Sequence, residues 1–115
     1  DVSFISLQHI FPTLSSIIKQ KGKVIALIKP QFEAGKEFLN HKGIITNKEV
    51  HQMVIENVMN YGMRNNFALS NLSYSPIKGG KEGNIEFLGL FQHLGTTSMS
   101  KEEIEKVVIE AHHVL

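Results

Sequence analysis

Between residues 7 and 19 the apolar positions Leu7, Ile10, Phe11, Leu14, Ile17 and Ile18 recur at spacings of three and four, which lays them along one helical face. Pro12 interrupts the stretch and is easiest to place in a first turn. The regular helix is therefore expected to start near Phe11 or Pro12 and to stop at Lys21-Gly22-Lys23. The period then changes. Residues 24–28 are Val-Ile-Ala-Leu-Ile, a continuous, partly β-branched run that suits a strand covered on both faces, as in a parallel sheet. Lys29-Pro30 stops it, and the mixed, glycine-containing residues 31–45 read as a loop. Thr46-Asn47-Lys48-Glu49 has the form of a capping box with Thr46 as N-cap. It opens a helix with Val50, Met53, Val54, Val58 and Tyr61 on its buried face and Asn65-Asn66 at its end. Residues 67–74 alternate as a strand, 75–84 read as a loop rich in Gly, Lys and Pro, and 85–91 form a further apolar strand with Glu86 set into it. Ser100-Lys101-Glu102-Glu103 is a second capping box, after which Ile104, Val107, Val108 and Ala111 give the last helix its apolar face.

This order, helix, strand, helix, strand, strand, helix, predicts the α/β class. The first two strands are joined through a helix and should run parallel. The last two are joined by a loop of about ten residues and should pair antiparallel. The expected sheet thus carries an antiparallel strand near its C-terminal edge. Asp1 leads directly into the apolar residues 2–7, where a natural terminus is ordinarily polar and frayed, so a segment of a larger domain is expected.

Composition adds bounds rather than detail. With 42% hydrophobic and 20% charged residues the chain has the make-up of one globular domain. The absence of Cys rules out disulfides and thiolate zinc sites and fits a reducing, cytoplasmic compartment. Twelve basic residues against eleven acidic give a net charge of +1, a weak footprint for a nucleic-acid binder. An RNA partner would be met by a local patch or by surface elsewhere. No apolar run approaches the ~20 residues that span a bilayer, so no membrane partner is expected, and no secretory leader is read at the start.

In open α/β sheets ligands bind outside the carboxyl ends of the strands. Lys29 closes a strand at such an end, although a Lys there can simply open a loop. Asp1 would occupy a second such end if a strand precedes it; otherwise it is an N-cap. Glu86, between Ile85 and Phe87, belongs either on a solvated face, the ordinary case, or beside a cation, and its functional reading needs a nearby Lys. Lys78 and Lys81, with the backbone of loop 76–81, suit phosphate contact, or else a solvated connection. The six His residues are scattered, His112 and His113 point apart on a helix, and no His/Asp/Glu spacing supports a metal site. No nucleophile–base pair or dinucleotide fingerprint supports hydrolytic or redox chemistry.

Four stretches taken together resemble one family. DVSFISL at 1–7, LIKPQFE at 27–33, SPIKG at 75–79 and GNIEF at 83–87 are similar, in order and spacing, to signature segments of TlyA-type ribosomal-RNA 2′-O-methyltransferases of the FtsJ-like superfamily. KPQFE and GNIEF are the unusual strings. The resemblance implies that residues 1–115 are the C-terminal part of one Rossmann-like methyltransferase domain. That domain would use S-adenosyl-L-methionine to methylate a ribose 2′-hydroxyl, typically of cytidine, with ribosomal RNA or a ribosomal subunit as partner. The Gly-rich cofactor loop, the ribose-binding acid and a small S4-like RNA-binding domain would belong to segments not present in this stretch.

The superfamily's Lys-Asp-Lys-Glu tetrad maps its Asp onto Asp1, its second Lys onto Lys29 and its Glu onto Glu86; the first Lys is not in this stretch. Asp1 would also approach the cofactor. Carboxylates beside an ammonium keep it charged, so Lys29 is expected to position the hydroxyl and to serve as base only within the complete tetrad. The last helix reads as a packing or dimer element, which leaves a homodimer open. The family has also carried the label haemolysin. A pore-former needs a spanning helix or many long amphipathic strands, neither of which is visible, so any membrane effect would be indirect. A non-enzymatic RNA-binding or interaction module is the alternative to the enzyme.

Overall fold

Ser6 opens the first helix by accepting the Gln8 backbone N–H on its hydroxyl, and α1 runs Leu7–Ile17. The chain is described here by a computed structural model covering residues 6–78 and 83–115. The helix starts well before Pro12, which lies inside it. The missing Pro N–H would have reached the Gln8 carbonyl. Gln8 is exposed, so water can take that orphaned acceptor and the ring is tolerated. Leu7 and Phe11 are buried, with Ile10, Leu14 and Ile18 packed beside them, so the helical face expected from the spacing is the one that packs, except for Ile17, which is 69% exposed.

β1 follows at Lys23–Ile28. The stretch read as a loop then proves to hold a single-turn helix, α2 (Pro30–Glu33), and a 3₁₀ turn (Lys36–Phe38). Pro30 at the first helical position supplies its fixed φ, with Lys29 as N-cap. Elements this short carry no repeat for periodicity to register. α3 (Lys48–Arg64) is capped by Asn47, not Thr46. The Asn47 Oδ1 accepts the N–H of Glu49 at 2.7 Å and of Val50 at 3.2 Å. Val50, Val54 and Val58 are buried as expected, but so are His51, Ile55 and Gly62, whereas Met53 is 37% exposed. β2 (Phe67–Tyr74) and β3 (Phe87–His93) form the hairpin, and α4 (Lys101–Val114) begins with the expected reciprocal Ser100/Glu103 capping box.

The sheet order is β1-β3-β2, with β3 antiparallel to both neighbours. β1 and β2 therefore run parallel, as a helical crossover requires, with β3 inserted between them and one strand in from β2. This is an α/β arrangement of partial Rossmann-like form. Phe87, Gly89, Phe91 and His93 point from β3 to the side that carries α1, α3 and α4. There Phe11, Phe67, Phe87, Phe91, Ile55 and Ile104 are fully buried, each contributing about 1.5–3 kcal/mol by its removal from water. The opposite side differs from the expectation of a strand covered on both faces: Ile25 is 72% and Leu27 40% exposed.

Candidate functional site

Lys29 follows the last residue of β1, and Glu86 precedes the first residue of β3. Because Ile28 and Tyr74 both pair with Phe87, the two side chains stand at one rim, the carboxyl end of the parallel strands β1 and β2. They line a common cavity of about 470 Å³ with Gln31, Phe32, Leu39, Gly43 and Asn84. Such a rim is where an α/β sheet ordinarily receives a ligand.

Glu86 is 7% exposed, so the ordinary reading of a solvated carboxylate fails. Among the described residues no cation pairs with it; its side-chain partner is an amide. Gln31 Nε2 donates to Glu86 Oε2 at 2.8 Å. The Glu86 backbone carbonyl accepts Ser75 N–H at 2.8 Å, which ties the rim to the end of β2. Lys29 is half-buried, its ammonium 5.8 Å from the centroid of the Phe32 ring. The far wall is stapled by Asn84, whose Oδ1 accepts the buried Ile45 N–H at 3.0 Å while its Nδ2 donates to the Gly43 carbonyl at 3.0 Å. Glu33 completes the framework: its carboxylate accepts from the Ser6 hydroxyl at 2.8 Å and from Leu7 N–H at 3.1 Å. That fixes α2 to the start of α1, where a carboxylate also complements the helix N-terminus.

Of the residues singled out from sequence, Lys29 and Glu86 are thus brought together. Asp1 and Lys81 lie outside the described residues. Lys78 is exposed and does not line the cavity; its charge instead lies near His112. Gln31, Glu33 and Asn84 were not singled out. They stood within the KPQFE and GNIEF strings, but their tasks depend on partners distant in the chain, which no local pattern reveals.

A second polar cluster joins α3 to α4. His51 Nδ1 lies 2.7 Å from His112 Nε2, and His51 is fully buried. Burial, then the adjacent His112 ring, lowers the His51 pKa to about 4 against a weaker opposing effect of the Ile45 backbone. His112 is lowered too, by burial and by Lys48 and Lys78, with Glu49 opposing. Among the described residues no group of three or more His, Cys, Asp or Glu side chains is placed to hold a metal, and no helix is long and apolar enough to cross a membrane.

An ammonium, an oriented carboxylate and an aromatic wall can hold a neutral hydroxyl-bearing group, since the first donates to its oxygen and the second accepts its proton.

The sequence profile of the FtsJ-like methyltransferases matches residues 1–92. All of the chain aligns at 41% identity with 42% of "Putative rRNA methyltransferase YqxC" from Bacillus subtilis. At 25% identity, 96% of it aligns with 41% of "16S/23S rRNA (cytidine-2'-O)-methyltransferase TlyA" from Mycobacterium tuberculosis. The solved structure "Putative hemolysin from Streptococcus thermophilus" is similar at a TM-score of 0.89 and 41% identity, covering 99% of this chain and 41% of that one. The chain therefore spans 41–42% of the length of these relatives.

Proposed function

This chain belongs to the FtsJ-like methyltransferase family, and from that premise we propose that the complete protein methylates a ribose 2′-hydroxyl of ribosomal RNA, at a cytidine, in the cytoplasm. Residues 1–115 form the C-terminal part of its methyltransferase domain. The cofactor loop, the first Lys of the tetrad and an S4-like RNA-binding domain come from chain beyond this stretch. The observation that carries the reading is the common cavity of Lys29 and Glu86 at the carboxyl rim of the sheet.

S-adenosyl-L-methionine, when bound, supplies the electrophilic methyl group. The residues of this chain then have two tasks. The ribose oxygen must be held in line for attack, which is catalysis by orientation, and its proton must be accommodated as it leaves. The Lys29 ammonium donates to the ribose oxygen and fixes its place. Glu86 and Asp1 balance that ammonium, and Glu86 offers an acceptor on the hydroxyl side. Lys78 and Lys81 reach RNA phosphate from the connecting loop.

In the complete protein, Lys29→Ala should lower ribosomal-RNA methylation by roughly 10²–10⁴-fold while calorimetry gives an unchanged S-adenosylmethionine affinity. A parallel loss of cofactor affinity would move Lys29 into the cofactor site. Liposome leakage without any methylation by the wild-type protein would favour the membrane reading instead.

A further inference from the structure

We propose that Gln31 is the positioning residue of this cavity, holding the Glu86 carboxylate in the orientation that the hydroxyl-bearing substrate meets. The inference rests on the site assignment above. Gln31 sits on α2, a turn fixed on both sides: Pro30 is buried at its start, and Glu33 at its end is bonded to Ser6 and Leu7. From that mount the amide Nε2 donates to Glu86 Oε2 at 2.8 Å. Turning the amide over would set its oxygen against a carboxylate oxygen, so the orientation is dictated by Glu86.

The other end of the amide shows what it is for. Gln31 Oε1 is buried and without a hydrogen-bond partner among the described residues. Such an oxygen destabilises the folded state, whereas the Nε2 at the other end supplies a donor to the buried Glu86 carboxylate. A residue serving packing alone is therefore better apolar. The amide gains its place only through the carboxylate it orients, and that carboxylate lines the cavity with Lys29. Removing the amide also takes a donor from that buried carboxylate, so the two roles are separated by the rate of methyl transfer and by its dependence on Glu86, not by stability.

The test uses the complete protein under single-turnover conditions, with Gln31→Met, Glu86→Gln and the double variant, and with Gln31→Leu as a second apolar replacement. Gln31→Met should leave the KM for S-adenosylmethionine unchanged and slow methyl transfer roughly tenfold or more, the loss of one hydrogen bond to a charged group, with a lower thermal midpoint because the buried carboxylate loses that donor. In the Glu86→Gln background it should add no further loss, because the group it orients is gone. A lower thermal midpoint with an unchanged rate for both apolar variants would make Gln31 a packing residue and overturn the proposal. So would the same fold-loss in both backgrounds. If Glu86→Gln methylates at the wild-type rate, the site assignment itself falls. If Glu86→Gln is slow while Gln31→Met is not, only the role of Gln31 falls.

Discussion

His51 is the side chain through which pH acts on this fold. It is fully buried, its Nδ1 faces His112 Nε2 at 2.7 Å, and the Phe87 ring stands edge-on to it with centroids 5.6 Å apart. Two imidazoles this close hold one proton between them; protonating both rings would set two cations against each other, one of them fully buried. The folded pKa of about 4 lies below the ordinary histidine value of 6.5. As pH falls, the unfolded chain takes up the proton first, so stability is whole above about 6.5 and is lost between there and about 4, at roughly 1.4 kcal/mol per pH unit and about 3 kcal/mol in all. The lowered pKa of His112 adds to the loss with the same sign. Urea unfolding between pH 8 and 4 should show this slope in the wild type and a shallower one in His51→Leu. Equal slopes would remove His51 as the cause. None of this was legible in the sequence, where His51 and His112 stand on different helices and only their fold-mediated meeting gives either a role. Lys29 was legible because a Lys at the carboxyl end of an apolar strand has a positional meaning. Glu86 was legible as an anomaly, although its amide partner was not.

At the scale of elements, α3 is held to the sheet by an aromatic ring set between two glycines. A Cβ on Gly62 of α3 would stand 3.0 Å from Phe91 Cε2 and 3.2 Å from the Phe67 carbonyl oxygen, and one on Gly89 of β3 would stand 2.9 Å from Phe91 Cε1. Phe91 has no room to retreat, since Phe11 packs edge-on against it with centroids 4.9 Å apart. Gly→Ala in a helix interior ordinarily stabilises by about 1 kcal/mol. Here overpacking should outweigh that gain, and Gly62→Ala is expected to destabilise by about 1–2 kcal/mol in chemical denaturation. A more stable variant would show that α3 can lift off the sheet without cost. The long elements were legible because their apolar period survives into the structure: Val50, Val54 and Val58 on α3, and Ile104, Val108 and Ala111 on α4, are buried as their spacing requires. Failures fell where a single local contact decides. Asn47 took the cap from Thr46, an exposed Gln8 carbonyl let Pro12 sit inside α1, and Pro30 nucleated a helix too short to show a period.

Across the whole molecule the asymmetry of the sheet is the dominant fact. One side carries three helices and the fully buried aromatic core; the other presents Ile25 and Leu27, with Leu88 and Leu90 only half-buried beside Asn71 and Ser73. A contiguous apolar sheet face in water favours association. The relatives are more than twice as long as this chain, and additional chain packed on that face would cover it. The two settings then give opposite signs for one substitution. In the 115-residue chain by itself, Ile25→Lys should shift a concentration-dependent oligomer toward monomer in light scattering and leave the thermal midpoint nearly unchanged, because position 25 is 72% exposed there. In the complete protein the same change should bury an unpaired ammonium and lower stability by several kcal/mol. A substitution neutral in the complete protein would mean that the face is open there as well.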